Sequence, residues 1–296
     1  MTILVLGGKG KTASRLASLL HEANIPFLQG TSSPGHGSQF NQSYFNWFEE
    51  KSYENPFVQA STEGLGPISA VYLVGPPVMD MVPPMLKFVD FARSKGVEKF
   101  VLLSASTVEK GGHSMGEVHG YLDSLKGINY VALRPTWFME NLLEDPHLSW
   151  IKNDNTIYSA TGDGKIPFIS ADDIARVAFR ILKDWDTQKT EYLILGPELL
   201  SYDQIANILT SLLGRKITHV SLSEPDFIQL LQERVGLPPN FAEMLAKMEV
   251  DVKNGDENRL SNSVQEVTGV SPQGFHDFAD RNKQHWASDG KRLGNY

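Results

Sequence analysis

Near the start of the chain, Gly7-Gly8-Lys9-Gly10-Lys11-Thr12-Ala13 has the G-x-x-G-x-x-A spacing of a phosphate-holding turn. Glycine serves where a backbone turns sharply and where it must approach a pyrophosphate closely. The small Ala13 lets a helix pack tightly on a strand. The helix that follows offers unpaired N–H groups and the positive end of its dipole to an anion. A glycine pattern alone is a weak signal. Here it follows directly on a buried apolar run at residues 3–6 and opens an amphipathic repeat of Ala13, Leu16, Ala17 and Leu20. That context makes it a dinucleotide motif rather than a bare glycine turn.

A dinucleotide site that prefers NADH places Asp or Glu at the end of the second strand, against the ribose hydroxyls. Here that position reads Gln29-Gly30-Thr31-Ser32-Ser33. No carboxylate repels a 2′-phosphate, and Thr31, Ser32 and Ser33, with Lys9 or Lys11, can receive one. The spacing predicts NADPH; a merely polar loop is the competing reading. The Tyr-x-x-x-Lys pair that protonates a carbonyl in short-chain dehydrogenases is absent. Tyr121 is followed four residues later by Leu125, and Tyr130 by Arg134 in a predicted strand. Either the chain does not catalyse, or its substrate needs no protein acid. A preformed iminium ion is such a substrate: its carbon is already electrophilic, and binding in reacting geometry suffices.

Asp172-Asp173 resembles an acid–base pair, but both acids follow Ser170 in the first turn of a predicted helix, where they favour the dipole. The eight histidines show no metal-ligand spacing, so no metal is expected.

The elements that must position these groups alternate. Strands are predicted at 3–6, 25–28, 71–74, 99–103 and 130–133, with helices after 13, over 84–95 and over 115–125, and a loop over 30–43. This alternation is the mark of a Rossmann-type, doubly wound parallel sheet of the α/β class, whose ligands bind at the strands' carboxyl ends. The second half differs. Ser201 with Gln204 forms a capping box before Ile205, Ile208, Leu209 and Leu212, and Gly214 stops that helix. Residues 223–296 read as mainly helical, with a polar stretch at 250–264. The expected organisation is a dinucleotide domain over 1–145, with 165–195 returning to it, and a smaller, mainly helical substrate-capping domain over 196–296.

The chain of 296 residues carries a net charge of −8 and no basic stripe, which argues against nucleic acid and an anionic membrane surface. It has no cysteine, which excludes disulfides and thiolate catalysis. No signal peptide or membrane-length apolar run is evident, and a cytoplasmic location is expected.

The glycine turn, Gly75-Pro76-Pro77, the run Leu133-Arg134-Pro135-Thr136-Trp137-Phe138-Met139-Glu140-Asn141, residues 164–175 and residues 196–202 together resemble the NmrA-like family of atypical short-chain dehydrogenases. Within it, residues 1–16 and 132–142 resemble the fungal ergot-alkaloid reductases of the festuclavine and agroclavine dehydrogenase type. The resemblance implies NADPH-dependent reduction of a cyclic iminium alkaloid, supplied by an upstream pathway enzyme. It implies cofactor contacts from Gly7, Gly8, Lys9, Gly10, Lys11 and Thr12, with Thr31, Ser32 and Ser33 near the 2′-phosphate. Gly75 and Pro76 would border the adenosine, and Ser104, Ala105, Pro135 and Phe138 the nicotinamide and its ribose. The substrate cleft would begin at Met115. Glu117 there reads as a stabiliser of the cation or as a solvated helix charge. His119 reads as a cleft residue or proton relay, or as a surface histidine, the reading favoured for an imidazole without a visible partner. Trp137 and Phe138 would offer aromatic walls to an indole cation, Met139 would be core, and Asn141 would orient a polar group or cap a turn. Two other readings stay open: a non-catalytic NADP-sensing regulator, and a quinone or other small-molecule reductase.

Overall fold

A computed structural model of the chain describes residues 2–35, 39–184 and 189–287. In chain order the strands are β1 (Thr2–Leu6), β2 (Phe27–Thr31), β3 (Gln42–Tyr44), β4 (Ile68–Leu73), β5 (Lys99–Leu103), β6 (Asn129–Pro135), β7 (Thr156–Ser159), β8 (Glu191–Ile194) and β9 (Thr218–Ser221). The helices are α1 (Lys11–Glu22), α2 (Asn55–Thr62), α3 (Val82–Ser94), α4 (Met115–Ser124), the short α5 (His147–Ser149), α6 (Ala171–Asp184), α7 (Tyr202–Leu213), α8 (Glu224–Leu230), α9 (Pro239–Lys253), α10 (Ser263–Thr268) and α11 (Phe275–Trp286). They fall into two compact units. The first is residues 1–135, 171–194 and 262–271; the second is 136–170, 195–261 and 272–296.

In the first unit seven parallel strands form one sheet in the order β3-β2-β1-β4-β5-β6-β8. All five residues of β1 and of β2 are buried, as expected where helices cover both faces. The order turns back between β1 and β4, the switch point at which such sheets bind ligands. Helix α1 packs on α6, and α3 on α4. Met85, Phe88, Val89 and Ala92 of α3 are buried at helical spacing against Leu4, Leu6, Val71 and Phe100 of the strands.

The strand predicted at 25–28 begins two residues later. Ile25 N–H bonds back to Leu20 O at 2.9 Å, closing the end of α1, so sheet pairing starts at Phe27. The predicted loop over 30–43 gives up its ends to β2 and β3, and residues 36–38 lie outside the described residues. Strand β3 and helix α2 were not anticipated, because a three-residue strand has no period to read.

The second unit has a mainly helical core. Met139, Phe168, Tyr202, Ile205, Leu209, Phe275 and Trp286 are buried together in it. Ser201 and Gln204 form the capping box, and Gly214 ends α7 with φ +63°. Trp286 Nε1–H donates to Leu142 O at 2.7 Å, fixing α11 to the segment after β6. The expectation of helices alone is incomplete: β7 and β9 form a two-stranded parallel sheet with Ile157 opposite His219. In the polar stretch 250–264, Val252 and Glu257 are buried.

Candidate active site

Gly7 and Gly8 have φ of +88° and +44°, and Gly10 N–H closes the turn on Gly7 O at 2.8 Å. A Cβ on Gly8 would lie 2.9 Å from Thr31 Cβ and Oγ1, and one on Gly10 would lie 3.0 Å from Gly7 O. The turn is therefore as close to β2 as glycine allows. Gly10 is the N-cap of α1, no side chain caps it, and the first turn of the helix contains no acid. The N-terminal end of α1 thus keeps its positive character for an anion. Thr12 is only 3% exposed and its Oγ1 accepts a hydrogen bond from Tyr72 OH at 3.0 Å. Its hydroxyl is committed to the core, which leaves its backbone for the ligand. Burial raises the Tyr72 phenol above its usual range, so that proton stays in place.

Beside the turn lies a recess of about 350 Å³ lined by Gly7, Gly8, Gly30, Thr31, Ser32, Phe45, Asn46, Trp47, Phe48, Gly75, Pro76 and Pro77. No carboxylate is among these residues. Ser32 and Ser33 are exposed, and Ser33 N–H bonds Thr31 Oγ1 at 3.3 Å. A Cβ on Gly35 would lie 3.6 Å from Lys9 Nζ, which places that ammonium over the segment following β2. Lys11 is half-buried at the start of α1. Residues 45–48 were not anticipated. They lie in a loop held by Ser52 and Asn46, and their aromatic content was the only available signal. Gly75 is closed in by methionines: a Cβ there would lie 2.6 Å from Met115 Cε and 2.7 Å from Met85 Sδ. Met115 is thereby brought to the carboxyl end of β4.

At the neighbouring strand ends, Ser104 N–H bonds Leu133 O and Ser106 N–H bonds Pro135 O, both at 2.8 Å. The Ser104 hydroxyl is buried with no hydrogen-bond partner among the described residues. Ala105 is half-buried and Pro135 buried. Glu117 is exposed in the first turn of α4. His119 overturns the surface reading. It is 0% exposed, because α4 turns Gly116, Val118, His119 and Leu122 inward. Its ring meets Tyr130 edge-on, and its Nδ1 lies 4.0 Å from Glu191 Oε2. Burial lowers its pKa against the opposing pull of Glu191. Asp172 and Asp173 pair with Arg15 and Arg176, as structural acids do.

In the second unit Trp137 packs against the core, Phe138 is half-buried, and Met139 is 0% exposed. Ile169 holds this segment by bonds to Trp137 O and Met139 N. Asn141 lies inside a 3₁₀ turn whose N-cap is Phe138, so it does not cap that turn. No local pattern announces the titratable groups gathered in this unit. Glu249 Oε2 accepts from Ala160 N–H at 2.5 Å, and burial pushes its carboxyl up to about 8. Asp203, His219 and Ser159 form a chain with distances of 3.2 and 2.7 Å. The order is that of a hydrolytic triad, but Ser159 is 0% exposed and also meets Thr161 Oγ1 at 2.8 Å. It is a structural chain, closed to any substrate. No cluster of metal-ligating side chains occurs among the described residues, nor any helix long and apolar enough to cross a membrane.

A doubly wound parallel sheet whose first strand–turn–helix carries a glycine cradle at the switch point defines the Rossmann class of α/β proteins. Residues 116–278 match the model of the NmrA-like family. The chain is 64% identical over 286 residues to festuclavine synthase I of Penicillium roqueforti, covering 97% of this chain and 100% of that one. It is 47% identical to agroclavine dehydrogenase of Claviceps fusiformis, covering 97% and 99%. The NADP(H) complex of Citrobacter sp. triphenylmethane reductase superposes with a TM-score of 0.76 at 17% identity, over 95% of this chain and 99% of that one, and shares the fold. The chain belongs to the NmrA-like family.

Proposed function

We propose that this protein is an NADPH-dependent reductase of a cyclic iminium in ergot-alkaloid biosynthesis, acting on a C=N bond in the cytoplasm. The observation that carries the reading is the 64% identity to a festuclavine synthase across nearly the whole chain. The cradle supports it, because Gly7, Gly8 and Gly10 fold the turn tightly against β2 and leave the start of α1 uncapped by any side chain. The first unit is the dinucleotide domain, including residues 262–271 from within the expected 196–296 domain, and the second unit is the smaller substrate domain.

The amides of residues 7–12 hold the pyrophosphate at the positive end of α1. Thr31, Ser32, Ser33 and Lys9 receive the 2′-phosphate, and the lack of a carboxylate in the recess admits it. Gly75 and Pro76 border the adenosine. Ser104, Ala105 and Pro135 of the first unit contribute to the nicotinamide site, and Met115 and Glu117 to the substrate site, with Glu117 as the charge that favours a cation. The second unit's contributions are Phe138 to both and Trp137 and Asn141 to the substrate. His119, buried and neutral, stays out of direct contact. Bound NADPH supplies a hydride to the iminium carbon, and the C=N electron pair returns to nitrogen as a lone pair. The neutral amine forms without a protein acid, which accounts for the missing Tyr-x-x-x-Lys.

Stopped-flow oxidation of NADPH with the cyclised iminium tests this reading. The expected result is consumption well above the rate without protein. Tight NADPH binding with no acceleration would instead identify a dinucleotide sensor.

A further inference from the structure

We propose that Arg134 is a positioning residue that holds the 104–106 segment and, through it, the nicotinamide half of the dinucleotide. The inference rests on the dinucleotide reading above. Three consecutive residues of β6 hold the two ends of the 104–106 segment beyond β5. Leu133 O takes Ser104 N–H at 2.8 Å, and Pro135 O takes Ser106 N–H at 2.8 Å. Between them the Arg134 guanidinium reaches across, and its Nη2 donates to Ser106 O at 2.8 Å. Val108 N–H then bonds Ala105 O at 3.1 Å and closes the turn behind the segment. The buried Ser104 hydroxyl, with no partner among the described residues, stands at the head of the held segment. This is the strand edge at which sheets of this class bind their ligands.

The cost of burying Arg134 shows why stability alone does not explain it. The residue is 3% exposed, and a guanidinium there is expensive to desolvate. Its two carboxylates, Glu109 at 2.5 Å and Glu191 at 3.1 Å, are themselves 71% and 45% exposed. Pairs with such solvated partners contribute little net stability. An apolar side chain would serve the core at least as well. What only the planar fork provides is a fixed donor to a backbone carbonyl while both acids aim it. The neighbouring imidazole is arranged not to interfere. His119 Nδ1 sits 4.0 Å from the Glu191 oxygen that Arg134 uses, and burial disfavours its charged form. Lysine is a point charge on a flexible stem and does not reproduce the fork.

The test compares two ligands on the full-length protein. NADPH carries the nicotinamide; 2′-phospho-ADP-ribose carries everything else. Calorimetry gives the dissociation constant of each for wild type, Arg134→Met, Arg134→Lys and Glu109→Gln, beside the melting temperature of each protein. In Arg134→Met, NADPH affinity falls about tenfold, the loss of a charged hydrogen bond, while the fragment stays within about twofold. Arg134→Lys shows most of that selective loss. Glu109→Gln, at an exposed acid and therefore certain to fold if the wild type does, shows about a threefold selective loss. A ratio of the two affinities that is unchanged in Arg134→Lys and Glu109→Gln overturns the inference. So does an equal loss for both ligands. Wild-type protein that binds neither ligand overturns the dinucleotide reading and this one together. Wild-type protein that binds both but leaves the iminium unreduced overturns only the substrate reading.

Discussion

In the first unit, the groups arranged to meet a ligand are backbone amides and glycine Cα atoms at the carboxyl edge of a sheet. In the second, the perturbed titratable groups sit within or beside the core. There Glu249 is pushed up to about 8, His147 is pushed down to about 4, and His219 is lowered, in each case chiefly by burial. Both arrangements use polar groups away from bulk water, but with different consequences. A backbone cradle has no proton to gain or lose, so its charge preference is constant with pH. Side chains held away from their ordinary ionisation tie the stability of their unit to pH. The glycines differ in parallel. Gly8 lets the turn sit against a side chain, since a Cβ there would lie 2.9 Å from Thr31 Oγ1, while Gly196 clears another backbone, since a Cβ there would lie 1.9 Å from Phe168 O.

The largest expected effect tests that last contrast. Gly196→Ala forces one backbone into another and should cost about 4 kcal/mol or more, seen as a fall in melting temperature or loss of soluble protein. A tolerated substitution would erase the distinction between the two kinds of glycine. Next comes Glu249→Gln. Its folded pKa of about 8 exceeds the ordinary 4.5, so the wild type loses stability as pH rises through that window. His147 works in the opposite sense: its stabilising neutrality is present above 6.5 and is lost as pH falls toward 4. Above pH 6.5 the buried histidines still add an opposite slope as their unfolded forms lose the last of their protons, and that slope is shared by Glu249→Gln, which keeps an acceptor for Ala160 N–H. Relative to that variant the wild type should lose about 1–2 kcal/mol between pH 6.5 and 8 in chemical denaturation.

Gly8→Ala should leave the molecule folded, with a strain of about 1 kcal/mol from its left-handed φ. It should weaken NADPH by about thirtyfold in calorimetry, because a Cβ 2.9 Å from Thr31 pushes the turn off β2. A large loss of stability with binding intact would reverse the assignment. The smallest effect is at Lys9. Lys9→Ala should reduce the preference for NADPH over NADH by about tenfold, with NADH affinity unchanged.

The contrast also explains what could be read from the sequence. The glycine cradle was legible because its requirement is local: a left-handed φ and the absence of a Cβ show directly as Gly7, Gly8 and Gly10. The parallel strands β4, β5 and β6 were legible as apolar runs, since a strand covered on both faces admits little else. His119 misled because its burial depends on which face α4 turns inward, and Arg134 stayed unread because its partners lie at 106, 109 and 191 along the chain. The β7–β9 pair and the His219–Ser159 bond join residues about sixty positions apart in sequence, through tertiary pairing that no local pattern announces. What a residue does through its own backbone is written where it stands; what it does through a distant neighbour is not.

The interleaving of the two units has a consequence during synthesis. The first unit takes its edge strand β8 and the helix α10 from late segments of the chain, and α10 packs on α6. A nascent chain leaving the ribosome after residue 135 holds six strands of that sheet but lacks the seventh and the helix α6 that covers α1. Neither unit is complete until residue 271 has emerged, so completion of both waits for segments far along the chain, and no single cut between them yields two self-sufficient fragments.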